Sequence, residues 1–544
     1  MSLYIKLSIR ISESKMHFSS LVSVLTAAAG LTSAVGNSGR SLKHDGAADE
    51  PGVLHQRDSH MHPQRDTSPY LTDASAKYVV NGTAIPEVDF DIGESYAGLL
   101  PISGDENESR ELYFWFFPSD NPQATNEILI WLGGDPGCSA LEGLLQDNGP
   151  FTWQPGTYKP VRNSFSWVNL TNVVWVEQPV GTGFTQGIPN ASSGAMVAEQ
   201  FLGFWKNFVD TFGLQGRRIY IAGDGFAGFF IPNIADAMLN KGDKKYFNLD
   251  GTMLYDPTTS HDVIQTQVPL VQYLNNWSGL YHFSERHWHY LNSMADFCGY
   301  TDYLERYLTF PPPGPFPAEL PGTNERGIVH ADCDIFSAIS TEIFGQNPCW
   351  NFNHITQSCP PLWDVLGNER SHPSVPEGHQ VYFDREDVQR AINAPIGRWQ
   401  VCYDKLTEGF NESPSSLSVL PSVIEHSART VIAHGGLDMV MSTNGTLLTI
   451  QNMTWDGEQG FTQQPSSPFN VPFHHEFSNF HMAPSGVVGT THTERGLTWA
   501  TVNLAGHRIA QNAPSAAYRL VEFLIGRIHS LSSDSKFSTW NPYV

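Results

Sequence analysis

Positive charge is the first thing this chain is short of. Its 31 lysines and arginines face 55 aspartates and glutamates, a formal net charge of -24 over 544 residues. Such a surface repels phosphate backbones and anionic lipid, which excludes nucleic acid and membrane surfaces as partners. Long apolar runs are missing too. Beyond residues 21–29, no stretch approaches the roughly 20 apolar residues of a membrane-spanning helix. Cysteine is sparse, but its count of six is even, which suits disulfides in an oxidising compartment. Internal repeats are absent. With 40% hydrophobic residues the chain can still bury a sizeable core, and its length fits one large α/β domain with an insertion.

The N-terminal region reads as an export signal and a leader. The apolar run at residues 21–29 ends in Thr32, Ser33 and Ala34, predicting a signal peptide over residues 1–34. Translation from Met16 would leave residues 1–15 outside the protein. Residues 35–77 are polar and lack hydrophobic periodicity, so a disordered leader or pro-segment is expected, with order beginning near Tyr78. Asn-x-Ser/Thr acceptors stand at Asn81, Asn107, Asn169, Asn190, Asn276, Asn444 and Asn452, with a weaker one at Asn411. Behind a signal peptide they predict a secreted or vacuolar glycoprotein.

Further along, residues 108–118, 127–132 and 173–177 read as strands. Val197, Phe201, Phe204, Trp205 and Phe208 share one face of a helix expected over residues 195–212. A strand at 218–222, a turn carrying Gly223, Gly225 and Gly228, and a helix from Pro232 follow. Residues 256–367 change character, with four of the six cysteines, a triple proline and weak periodicity, and predict a cap-like insertion. It would divide a core of residues 78–255 and 368–544. A helix at 387–393, strands at 430–433 and 497–502, and a closing helix at 516–528 complete it. Strands alternating with helices predict an α/β fold, a mostly parallel sheet covered on both faces.

Strand, glycine-rich turn, helix is the layout that lifts a nucleophilic serine to the apex of a tight turn. The apex here is Gly225. Residues 93–98, Gly-Glu-Ser-Tyr-Ala-Gly, match the serine form of that motif letter for letter. No long strand precedes Ser95 and no helix start follows, so Ser95 is not the expected nucleophile; the family resemblance described next places it in an early strand.

Residues 131–140, Trp-Leu-Gly-Gly-Asp-Pro-Gly-Cys-Ser-Ala, resemble the Trp-Leu-Asn-Gly-Gly-Pro-Gly-Cys-Ser-Ser signature of the serine carboxypeptidases. Residues 163–184, with Glu-Gln-Pro-Val-Gly-Thr-Gly-Phe at their end, are similar to the segment that follows it. Residues 223–232 align with the family's Gly-Glu-Ser-Tyr-Ala-Gly-x-Tyr-x-Pro. Asp438 ends Ala-His-Gly-Gly-Leu-Asp and His507 ends Ala-Gly-His, each like a family segment. The resemblance implies an α/β-hydrolase fold and a reaction that releases C-terminal residues from peptides at acidic pH. It gives Asp438 and His507 the second and third places of a nucleophile–Asp–His triad. It also implies that Cys138 pairs with Cys402. For Cys298, Cys333, Cys349 and Cys359 a nested pairing, Cys298–Cys359 with Cys333–Cys349, is expected among three alternatives.

The departures from the family pattern converge on one predicted site. Gly225 carries no nucleophile. The oxyanion positions are Asp135 and Phe226, and a carboxylate there opposes a developing negative charge. The family's substrate-carboxylate site uses the Asn and first Gly of the signature and the elbow Glu; here these are Gly133, Gly134 and Asp224. Arg508 stands where a methionine is usual. The expected protein keeps the scaffold, the Asp438–His507 pair and a cleft for peptide or protein C-termini. It is impaired in serine hydrolysis, and little recovery is expected from Gly225→Ser without glycine at Asp135 and asparagine at Gly133. An active carboxypeptidase or acyltransferase, or a storage glycoprotein, are the alternatives. No cofactor and no metal are expected. The clusters His474, His475, Glu476, His481 and His287, His289 match no strong zinc spacing and are assigned to structure or surface.

Overall fold

A computed structural model describes residues 68–134, 137–367, 375, 378–403, 410, 413–473 and 485–539. The signal peptide and most of the expected leader lie outside these residues. So do Asp135, Asn411, His474, His475, Glu476 and His481.

The core is an eleven-stranded sheet. In chain order its strands are β1 Val79–Val80, β2 Ser95–Pro101, β3 Glu111–Phe117, β4 Glu127–Leu132, β5 Val173–Val176 and β6 Arg218–Asp224. There follow β7 Leu249–Tyr255, β8 Arg429–Gly435, β9 Ser467–Val471, β10 Gly486–Glu494 and β11 Leu497–Val502. Their order across the sheet is β1-β2-β3-β5-β4-β6-β7-β8-β11-β10-β9. The six central strands, β5 to β11 in that order, are parallel, and the strands at either edge are antiparallel. Ser95 opens β2 and is buried in the sheet, where the sequence reading puts it.

Both faces of the parallel strands are covered, so their central stretches are largely apolar. Along β4, Leu129 and Trp131 enter one core cluster while Ile128, Ile130 and Leu132 enter the other. Helix α1, Gly194–Phe212, is capped by Ser193, whose hydroxyl accepts the Met196 N–H at 3.1 Å. Its aromatic stripe packs on β2 and β3. Four helices between Val268 and Gln346 build a third core of their own, which takes in Leu437 and Met439.

Three expectations need correction. The chain packs from Tyr70, not Tyr78: Tyr70 is buried, donates to Asn172 Oδ1 at 3.1 Å and meets Phe116 edge-on. One aromatic anchor leaves no periodicity to read. The helix after the elbow, α2, spans Ala227–Lys241 and so begins five residues before Pro232. Proline removes the N–H that would bond the Gly228 carbonyl, and Ser415 Oγ donates to that carbonyl at 2.7 Å instead. Ser415→Ala should therefore cost about 1–3 kcal/mol in urea unfolding by stranding a buried acceptor. Finally, the disulfides are Cys138–Cys402, Cys298–Cys333 and Cys349–Cys359. The first is the expected pair; the nested pairing is wrong. Cys298 follows helix Glu285–Phe297 directly and meets the turn Ala331–Cys333, while Cys349 and Cys359 close a short loop beside the cleft.

Candidate active site

The site lies where the central parallel strands end. β6 ends at Asp224, and Gly225 turns the chain into α2 with φ +53°. That left-handed turn is held by Gly225 N–H donating to Tyr255 O at 3.0 Å and by Thr258 N–H donating to Gly225 O at 2.8 Å. A side chain on this turn would be strained, as at the apex of a nucleophile elbow; the glycine leaves it bare.

β8 ends at Gly435 and leads to Asp438; β11 ends at Val502 and leads to His507. The two loops are tied together by Leu437 N–H to Ala505 O at 2.8 Å and Gly436 N–H to Val502 O at 2.9 Å. Leu437 and Met439, on either side of Asp438, are anchored in the third core. His507 N–H donates to Asn353 O at 2.8 Å. The outcome is a fixed pair: His507 Nδ1 lies 2.7 Å from Asp438 Oδ2, while Asp438 Oδ1 accepts from Val440 and Met441 N–H. Burial opposes charge on the imidazole, but Asp438, with Asp256 and Asp224 behind it, outweighs burial and lifts His507 to about 9. Asp438→Asn should lower that value by about one to three pH units, read from the imidazole resonances in an NMR titration. Among the described residues, no hydroxyl is hydrogen-bonded to the His507 ring.

The Phe226 N–H, one expected oxyanion donor, has no acceptor among the described residues. The Phe226 ring packs against Phe229, Phe230 and Phe410. Gly133, Gly134 and Asp224 line a cavity of about 230 Å³ together with His507 and Arg508. A Cβ on Gly134 would lie 2.7 Å from Asp224 Oδ1, and one on Gly133 would lie 2.9 Å from the Cys138 carbonyl. The backbone has closed over both positions.

Sequence reasoning missed the acids of this cavity. Glu142 and Asp147, in the helix and turn just after Cys138, both bind Arg508, at 2.6 and 2.8 Å. Asp364 joins them through Gln146 Nε2 at 2.7 Å. Burial raises Glu142, Asp224 and Asp364 above the ordinary carboxyl range and puts Asp147 at about 6. Behind the dyad, Asp256 accepts from Gly435 N–H at 2.9 Å; burial, and then repulsion from Asp438, raise its carboxyl far above the usual range. Asp256, Asp438 and His507 have donor atoms within 4.8 Å of one another, the one such metal-capable trio among the described residues. Its Asp438 and His507 atoms already bond each other, which argues for a relay and not a cation site. His287 packs against the Phe283 ring at a tilt, and His289 is exposed on the same helix.

The remaining expected residues fall as follows. Asn81, Asn107, Asn169, Asn190 and Asn276 are exposed, and Asn444 and Asn452 are half-buried. No described helix is long and apolar enough to cross a membrane.

The sequence profile of the serine carboxypeptidases matches residues 86–527. A fungal protein from Arthroderma benhamiae named "Probable serine carboxypeptidase" is 50% identical over 510 residues, covering 91% of this chain and 95% of the relative. "Serine-type carboxypeptidase F" of Aspergillus niger is 41% identical over 481 residues, covering 85% and 89%. Among solved structures, a prohormone-processing carboxypeptidase from Saccharomyces cerevisiae superposes with a TM-score of 0.66 at 21% identity, over 84% of this chain and 97% of that one. That last likeness speaks for the fold alone. With the sheet order, the elbow and the His507–Asp438 pair in place, these matches settle descent: the chain is a member of the serine carboxypeptidase family, with the α/β-hydrolase fold.

Proposed function

We propose that this protein is an exported, secreted or vacuolar, serine carboxypeptidase-like glycoprotein that binds peptide or protein C-termini and has lost hydrolysis through a serine acyl-enzyme. One observation carries the reading. The turn between β6 and α2 keeps the backbone of an elbow and offers Gly225 at its apex, beside an intact His507–Asp438 pair. A triad without its nucleophile loses on the order of a million-fold in turnover, as in subtilisin. The two cations facing the cleft, His507 and Arg508, suit a carboxylate ligand.

A fluorophosphonate probe and a peptide-binding assay test this together. The purified protein should bind a peptide with a free C-terminus saturably, bind its C-terminal amide far more weakly, and take no label. Specific labelling of a serine in the cleft would establish an active enzyme. Absence of any saturable binding would leave the storage-glycoprotein alternative.

A further inference from the structure

Arg508 is the residue of the cleft that neither the family pattern nor the triad explains. It follows His507 on the loop after β11 and is anchored by three groups. Nη1 donates to Glu142 Oε1 at 2.6 Å and to Gln146 Oε1 at 3.1 Å, and Nη2 donates to Asp147 Oδ1 at 2.8 Å and, at 3.4 Å, to the Glu142 carbonyl. The guanidinium remains partly open to the cavity, with 18% of the side chain exposed. Its charged neighbours come from every wall. Glu142 and Asp147 come from the helix and turn after Cys138, Asp224 from the end of β6, and Asp364 and His354 from the segments across the cleft. His507 adjoins it in the chain, with Asp438 and Asp256 behind. Among the described residues, no lysine lines the cavity.

We propose that Arg508 is the anchor for a ligand's carboxylate in this cleft, and that Asp147 and Glu142 occupy it as internal counter-ions which the ligand displaces with uptake of a proton. The inference rests on the reading that the ligand is a peptide C-terminus. A guanidinium offers a planar fork of N–H donors that matches the two oxygens of a carboxylate. Asparagine at position 133 would have supplied one amide donor; Gly133 supplies none, and the backbone leaves no room for it. Arg508 faces the same cavity and replaces that donor with two.

The competition fixes the direction with pH. An ionised Asp147 holds the fork and adds negative charge to the cavity. Once protonated, it gives up its ion pair with Nη2, which keeps only the long bond to the Glu142 carbonyl, and it no longer repels an incoming carboxylate. Burial has moved this carboxyl to about 6, so release falls in the mildly acidic range. Binding coupled to one proton weakens about tenfold per pH unit above that value.

The test uses the full chain and a fluorescein-labelled Ala-Ala-Phe-Leu peptide, with its C-terminal amide as control, titrated by anisotropy at pH 5.0 and 7.5. The free acid should bind about 10- to 30-fold tighter at the lower pH, with no such change for the amide. Arg508→Met should weaken the free acid at least about tenfold at pH 5.0. Asp147→Asn should tighten binding at pH 7.5 and flatten the profile, and it decides the matter if the arginine variant does not fold. Preserved affinity in Arg508→Met, or an unchanged pH profile in Asp147→Asn, overturns the role of Arg508 and leaves C-terminus binding standing. Failure of the wild type to prefer the acid over the amide at either pH overturns both.

Discussion

Gly225→Ser is expected to release C-terminal residues at least about a hundredfold more slowly than the Aspergillus niger relative assayed beside it. The serine would enter a backbone ready for it, since φ is already +53° there and the strain of a left-handed turn costs a non-glycine residue about 1–2 kcal/mol. The dyad is also ready, at 2.7 Å. What the single change leaves untouched is the stabilisation of negative charge. Loss of one oxyanion donor costs about 10²–10³ in turnover, and the family resemblance assigns one of the two positions to Asp135, which lies outside the described residues. The imidazole is also a poor proton acceptor, because its bond to Asp438 raises it to about 9 against burial. Adding Gly133→Asn is expected to hurt more than help. Its Cβ would come within 2.9 Å of the Cys138 carbonyl and 3.0 Å of the Ala140 nitrogen, so backbone must move. Steady-state release of a C-terminal residue by wild type, Gly225→Ser, and Gly225→Ser with Asp135→Gly gives the order. Full activity from the first substitution alone would mean that the other departures are harmless.

Much of this site was legible because its parts are local. β4, β6 and α1 each carry their own periodicity, and the apex residue is fixed by the strand and helix around it. Asp438 and His507 were readable from short matching contexts, although 69 positions separate them. What stayed hidden depends on contacts across the chain. Nothing near Arg508 announces Glu142 and Asp147, more than 350 positions away, because only the sheet order brings the turn after Cys138 under the end of β11. The boundary of α2 was misplaced for a similar reason. Pro232 reads locally as a start, and the acceptor it strands is satisfied by Ser415 from another segment. Disulfide connectivity in the third core is likewise a property of distance, and cysteine spacing alone does not carry it.

The same buried acids predict that the fold is most stable in mild acid. Glu177 is the clearest case. Burial raises its carboxyl to about 7, against the opposing hydrogen bonds from Ser139 Oγ and Phe184 N–H. Asp147 at about 6 and the raised Glu142, Asp224, Asp256 and Asp364 act in the same sense. A carboxyl with a raised folded-state value binds more protons folded than unfolded. Its stabilisation is therefore present below the unfolded value and lost as pH climbs to the folded one, here between about 4.5 and 7. His507, raised to about 9, extends the loss from about 6.5 to 9. His434 opposes, since burial lowers it to about 3 and its unfolded form takes a proton up to about 6.5. Glu108, held at about 2 by Arg110, limits stability on the acid side. The carboxyls outnumber His434, so the melting temperature should peak near pH 5 and fall by at least about 5 °C by pH 8. Glu177→Gln isolates one of these contributions. The amide can accept from Phe184 N–H, bond the Ser139 hydroxyl and carry no charge, which removes ~3 kcal/mol of the pH-dependent loss. Its melting curve should flatten between pH 5 and 8 relative to wild type. A variant that loses stability across that range as steeply as the wild type would place the titration elsewhere and return Glu177 to an ordinary carboxylate.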